Sequence, residues 1–279
     1  MREPMERFRS VFPEPKPVIG MVHLPPLPGA PRYNGARMAD IADYAVGEAR
    51  KLEQTGYSGF IVENFGDAMF YKRAHPETIA AMTYVAKALA DSVSLPMGVC
   101  VLQSDAIAAI SIAHVVGAKF VRVPYYTETY VVDAGLMESC AADALRFRKS
   151  LGSDALIFAD VHIKHGYPLS QRPIQESAED AVHRGLADVV IVTGKKTGGP
   201  TNIEDVQKVK TQISDYPVLA GSGVSTADAR RLLGIADGAI VGTNLKANGD
   251  TESPIDLGRA QELMGVIRAI RQQEGDDRR

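Results

Sequence analysis

The sequence predicts a single (β/α)₈ TIM barrel. Three observations carry that expectation: short apolar runs rich in Val and Ile, segments of helical period between them, and linkers whose length depends on which end of a strand they serve. The runs fall at 17–24, 59–64, 96–102, 119–124, 155–162, 188–193, 217–221 and 238–242. They are continuous rather than alternating, as suits parallel strands covered on both faces. Between them lie helical patterns such as "DIADYAVGEARKLEQTG", "PETIAAMTYVAKALADS", "SDAIAAISIAHVVG" and "AQELMGVIRAIRQQ", several ending at Gly. A doubly wound open sheet is the competing architecture, but no G-x-G-x-x-G fingerprint follows the first strand. At 279 residues and 45% hydrophobic content the chain can bury one large core. We divide it into an N-terminal arm (1–16), the barrel (17–272) and a polar C-terminal tail (273–279).

Linkers entering strands are terse ("TGYS", "VGA", "LGSD", "GLA", "IAD"). Those leaving strands are long and polar ("PPLPGAPRYNGARM", "FGDAMFYKRAHP", "YYTETYVVDAG", "KHGYPLSQRP", "TGKKTGGPTN", "TNLKANGDTESP"). In a barrel the elaborated face is the C-terminal one, where ligand sites are built. No run approaches the roughly 18 apolar residues of a membrane span, and the opening "MREPMERFRSVFPEPKP" is unlike a signal peptide, so a cytoplasmic protein is expected. A net charge of −3 without a basic block argues against nucleic acid as the main partner. Cys100 and Cys140 lack metal-ligand spacing and read as ordinary small buried residues. The alanine-rich faces of "DIADYAVGEARKL" and "AAMTYVAKALA" suggest packing between subunits, hence a homo-oligomer.

The last two strands end in glycine turns. "LAGSGVSTADARRLL" (219–233) passes through Gly221, Ser222 and Gly223 into a helix expected to be capped by Ser225, and "AIVGTNLK" (239–246) leaves through Gly242 and Thr243. Such turns bring backbone N–H groups to an anion at the place where many barrels hold phosphate. Gly194, in "TGKKTGGP" (193–200), joins this set as a second candidate phosphate loop; the same residues also make an ordinary soluble turn.

In "FADVHIKHG" (158–166), Asp160, His162 and Lys164 stand two apart, and in a strand that spacing points them to one face, continuing Leu156 and Phe158. His23 closes the first strand, Glu63 and Asn64 the second, and Arg122 the fourth. Together Asp160, His162, Glu63, His23, Arg122 and Lys164 supply a base, an acid and charge stabilisation for catalysis, with Asp160 and His162 expected to face the mouth near His23 and Glu63. The same cluster suggests a divalent metal, with Glu63, Asp160 and His162 as candidate ligands. Lys164 could reach a phosphate or, if desolvated, form a Schiff base. Against these stand plainer readings: Asp160 and Arg122 as a structural ion pair, and His23 as a loop cap. His75, His114, His165 and His183 fall on expected loops or helices and read as structural or solvent-facing.

"GMVHLPPLPGAP", "VENFGDAMFYK", "ADVHIKHGYPL", "VIVTGKKTGGP", "PVLAGSGVS" and "DGAIVGTNLK", in fixed order from about residue 17 to the final helix, resemble the BtpA family, which includes SgcQ-type proteins. The resemblance implies a barrel like the ribulose-phosphate-binding ones, and one member of the family is linked to photosystem I biogenesis. The chain departs from the family pattern where "GVCVLQSD" stands for something like "GVNVLRND" and "RVPYYTET" for "RVNVLTGA", and its sixth loop carries lysines, which points to a different ligand.

Two functions follow as alternatives. One is an enzyme acting on a small phosphorylated sugar or nucleoside-like compound by acid/base chemistry, as an isomerase, epimerase, lyase or hydrolase. The other is a non-catalytic assembly or stability factor, which predicts a large exposed apolar patch.

Overall fold

The computed structural model describes residues 3–194 and 201–276, the side chains of 274–276 excepted. Eight parallel strands close into a barrel in chain order: β1 (Val18–His23), β2 (Gly59–Glu63), β3 (Met97–Cys100), β4 (Phe120–Val123), β5 (Leu156–Val161), β6 (Val189–Val192), β7 (Val218–Ala220) and β8 (Gly238–Val241). Closure is made by β8 on β1, in the register Gly20 to Val241. All eight expected strands are present, each within the range read from sequence.

The helices α2 (Met38–Thr55), α3 (Pro76–Ser92), α4 (Ala106–Val116), α5 (Ala141–Leu151), α6 (Ile174–Glu179), α7 (Ile203–Gln212), α8 (Ala229–Leu233) and α9 (Leu257–Asp276) follow the strands. α2, α4 and α5 end at Gly56, Gly117 and Gly152 in the left-handed conformation, the helix stop that glycine favours. The last helix continues to Asp276, past the position where a polar tail was expected. The alanine faces offered for subunit packing are spent inside the chain: Ala45, Ala49 and Ala86 are fully buried, Ala42 and Ala81 nearly so.

Two cores result. Outward-facing strand residues pack under the helices, whereas inward-facing Ile19, Ile61, Phe120, Leu156, Phe158, Val189, Ile191, Leu219 and Ile240 fill the barrel. Phe120 and Phe158 stack with ring centroids 4.4 Å apart, and Gly98 on the neighbouring strand makes room, since a Cβ there would meet the Phe120 ring at 2.2 Å. The N-terminal arm is a structural part of this core. It forms α1 (Pro4–Val11), whose Phe8 and the following Phe12 plug the barrel against Phe158 and Phe120. Asp188, at the foot of β6, accepts hydrogen bonds from Arg7, from Arg148 at 2.8 Å and from the Ile157 N–H at 2.8 Å, pinning that plug. A core filled at its base leaves the other end of the barrel to hold a ligand.

A small sheet lies outside the barrel. Tyr130–Val132 pairs antiparallel with Gly135–Met137 on one side and Gly166–Pro168 on the other, so the segments after β4 and β5, expected as loops, form a three-stranded sheet.

Candidate active site

A cavity of about 650 Å³ opens at the C-terminal end of the barrel, well within the range of small-molecule sites. Met21 and His23 from β1, Glu63 from β2, Arg122 from β4, Ile163 and Lys164 after β5, Gly221 and Ser222 after β7, and Gly242 and Thr243 after β8 all line it. Residues of the small sheet and its flanks, Tyr125, Asp133, His165 and Tyr167, cover one side.

Strand parity brings Glu63, Arg122 and Asp160 inward, one layer above the aromatic filling. The Arg122 guanidinium grips Asp160 through both oxygens, at 2.9 and 2.8 Å, and stands 3.9 Å from Glu63. Burial alone would favour loss of the Arg122 proton, but Asp160 and Glu63 outweigh it and hold the guanidinium firmly charged. Burial also pushes the Asp160 carboxyl up, with Arg122 opposing. Asp160 is 2% exposed and does not line the cavity. Its expected place beside a ligand is therefore corrected: both of its oxygens are engaged by Arg122.

His162 is corrected as well. β5 ends at Val161, and His162 adopts φ +47, which breaks the strand alternation. Its Nε2 lies 3.2 Å from Ser177 Oγ, whose hydroxyl donates to Glu128 at 2.9 Å, so the ring serves the packing of α6 rather than the mouth. The expected metal set of Glu63, Asp160 and His162 is thus not assembled, and no group of three or more His, Cys, Asp or Glu poised for a metal occurs among the described residues.

His23 and Glu63 remain as the ionisable pair facing the cavity, His23 Nε2 standing 3.9 Å from Glu63 Oε1. The ring stacks on Phe65 at 4.5 Å, and Nδ1 lies 3.3 Å from the Thr251 carbonyl oxygen. A carbonyl only accepts, so that contact assigns the proton to Nδ1 and leaves the Nε2 lone pair unprotonated. Burial pushes His23 down to about 4, against the pull of Glu63 and with help from Lys246, so the ring is neutral at pH 7.

A stability prediction follows from that shift. Unfolded, the imidazole titrates near 6.5; folded, near 4, so the unfolded chain holds the extra proton between these values. Stability is complete above the upper value and falls by about 3 kcal/mol as the pH drops through the lower one. His23→Gln should remove that part of the slope, as read by denaturant unfolding at several pH values; an unchanged slope contradicts it.

The glycine turns are more specialised than their sequence suggested. Gly221 donates its N–H to the Val192 carbonyl at 2.8 Å, and a Cβ there would meet Ile191 at 2.3 Å, so this glycine serves barrel packing. The Gly194 N–H is likewise occupied, donating to Ser222 Oγ at 2.6 Å, while Thr201 donates to the Ser222 carbonyl. Neither N–H is free for an anion, which corrects the expected roles of Gly221 and Gly194. Gly223, at φ +62, and Thr243 keep N–H groups that meet no acceptor among the described residues. Ser225 accepts from the Asp228 N–H and starts a turn, so the expected helix begins only at Ala229 and is five residues long. Lys195 to Pro200, the rest of the candidate sixth-loop phosphate site, lie outside the described residues. Ser222→Ala should cost about 1–2 kcal/mol, because it strands the Gly194 N–H, and equal unfolding midpoints would contradict this.

The roles of other residues emerge only in the structure. Asn64 donates to Asp67 at 2.9 Å and accepts from the Leu102 N–H at 2.8 Å; it braces the mouth rather than facing a ligand. Gln103 lines the cavity, its Nε2 bonded to Asp133 at 2.6 Å, and its buried Oε1 meets no donor among the described residues. The small sheet that positions Asp133 and Tyr167 had a signal in "YVVDAGLM", a β-branched run followed by turn residues and a second apolar pair.

The BtpA family model matches residues 14–269. The chain belongs to the BtpA family. An uncharacterized protein of Pyrococcus furiosus is 45% identical over 91% of this chain and 96% of its own length. The photosystem I biogenesis protein BtpA of Synechocystis is 40% identical over 90% of this chain and 88% of its own. Among solved structures, thiamine phosphate pyrophosphorylase from Pyrococcus furiosus superposes with a TM-score of 0.58 at 15% identity, covering 94% of this chain and 98% of that one. At that identity the likeness concerns the barrel alone. Among the described residues, no helix is long and apolar enough to cross a membrane.

Proposed function

We propose that this BtpA-family barrel is a cytoplasmic enzyme acting on a small phosphorylated sugar or nucleoside-like compound by acid/base chemistry, as an isomerase, epimerase, lyase or hydrolase. The observation that carries the reading is one cavity lined both by the glycine turns after β7 and β8 and by the His23–Glu63 pair. The Thr243 N–H, on the cavity wall, and the Gly223 N–H, next in the chain to the lining residue Ser222, anchor the phosphate, which leaves the reactive carbon over the barrel axis. There the unprotonated Nε2 of His23 takes a proton, and Glu63 stabilises the imidazolium that forms. Arg122, fixed by Asp160, presents its remaining positive face to charge developing on a substrate oxygen.

Inorganic phosphate is the simplest probe of the anchor. Gly223→Val forces a branched side chain into a left-handed backbone position and should weaken phosphate binding by at least about tenfold in calorimetry. Equal affinity in a variant that melts as a folded protein contradicts the assignment.

A second reading, a non-catalytic assembly factor, draws on the name of the Synechocystis relative and on exposed apolar residues of the small sheet, Val131, Leu136 and Tyr167, with Leu169 beyond it. It predicts no turnover on any phosphorylated compound and loss of partner binding when Tyr167 and Leu169 become serine. Self-association belongs to the proposal too, anchored on exposed Tyr84 of α3 and Val115 of α4. Light scattering at micromolar concentration should then give a multiple of the chain mass, and a single-chain mass contradicts it.

A further inference from the structure

Among the described residues, Lys246 is buried and Lys164 is half-buried at the cavity, and the two differ in company. Lys246 is fully buried outside the cavity and lies 3.3 Å from Glu48, which also holds Lys51 at 2.7 Å and the Ile255 N–H. Its charge is matched, and it ties the segment after β8 to α2. Lys164 lines the cavity, and among the described residues no carboxylate lies within ion-pair distance of its ammonium. The carboxylates nearest in charge, Glu63 and Asp160, are shared with Arg122, and Asp160 has both oxygens committed there. The Lys164 backbone is held by its N–H on Thr193 Oγ1 at 3.3 Å, beside the turns proposed to anchor phosphate. An amine in that position cannot be explained as one half of a structural ion pair. Burial and the Arg122 charge both push it toward the neutral form, which is the nucleophilic one.

We propose that Lys164 is a covalent catalyst that forms a Schiff base with the carbonyl carbon of a phosphorylated aldehyde or ketone. This rests on the proposed phosphate-binding reading of the same cavity and narrows its substrate class to carbonyl compounds. The neutral Nζ adds to the carbonyl carbon, the C–N bond forms, and the oxygen takes up a proton to give a carbinolamine. Loss of that oxygen as water, with both hydrogens of the amine accounted for in proton transfers, leaves C=N, which gains one proton to become the iminium. The iminium withdraws electrons from the adjacent carbon, so that a C–H bond there gives up its proton, or a C–C bond breaks and the departing fragment leaves as a second carbonyl as its hydroxyl loses a proton. Either break leaves an enamine, which takes a proton back at carbon and so restores C=N, with His23 and Glu63 placed to move these protons. Water then adds to C=N and returns the free lysine and a carbonyl product.

Pyridoxal 5′-phosphate, an aldehyde carrying a phosphate, is a direct probe. The folded chain is incubated at pH 7 with one equivalent, reduced with borohydride, and its lysines compared by peptide mass spectrometry. Lys164 should be modified at least about fivefold faster than Lys87 and Lys208, whose side chains are 60% and 55% exposed, and millimolar inorganic phosphate should slow it. Lys164→Met should abolish that fast labelling without altering the rest. Preferential labelling of Lys164 that is equal with unphosphorylated pyridoxal and untouched by phosphate keeps the covalent role and rejects the phosphate anchor. Labelling of Lys164 no faster than Lys87 or Lys208 overturns the covalent role, whatever calorimetry with inorganic phosphate then says of the anchor.

Discussion

Arg122→Met is expected to destabilise the barrel by about 3–5 kcal/mol, the usual consequence of stranding a buried charge. Asp160 is 2% exposed, accepts both of its side-chain hydrogen bonds from Arg122, and sits above stacked Phe120 and Phe158, where water cannot replace the lost donors. The double variant with Asp160→Asn should recover part of the loss, since the remaining amide carries no charge. Denaturant unfolding of the two single variants and the double variant gives the coupling directly. A small loss in Arg122→Met, or additive losses with no recovery, would show that the pair is not the strut of the barrel mouth.

The second large effect is expected in chemistry rather than stability. Glu63→Gln keeps shape and hydrogen bonding but removes the charge that stabilises protonated His23, so turnover should fall by about 10²-fold. Phosphate affinity should change by less than about twofold, because the anchor at Gly223 and Thr243 belongs to strands on the opposite side of β1. The substrate for this comparison comes from a screen of phosphorylated aldoses and ketoses. Turnover within a factor of a few of the parent would remove Glu63 from the proton-transfer machinery, and loss of binding together with turnover would make its role one of positioning.

The barrel was legible because its signal is redundant: eight apolar runs and the short-before, long-after linkers point to the same architecture independently. The side chains at the mouth were legible only as far as strand alternation extends. It places Glu63, Arg122 and Asp160 inward correctly, but His162 lies one residue past the end of β5, where a positive φ redirects the ring to Ser177. Alternation also cannot say which inward residue faces a ligand and which faces a neighbour, and a single guanidinium fork separates Asp160 from the cavity. The same limit applied to the glycines. Gly221 and Gly223 are two apart in one turn, yet the first continues the barrel ladder and the second leaves it. Gln103, whose amide is fixed by Asp133 of a sheet read as loop, depended on a contact 30 residues distant that no local pattern encodes.

The decisive measurement is a crystal structure of the chain with a bound phosphorylated aldose or ketose. The phosphate oxygens should lie within hydrogen-bond reach of the Gly223 and Thr243 N–H groups, with the carbonyl end of the ligand over the barrel axis between His23, Glu63 and Lys164. A ligand whose phosphate sits elsewhere, or whose carbon skeleton points away from His23 and Glu63, would contradict a division of labour between an anion anchor at β7 and β8 and chemistry at β1, β2 and β5.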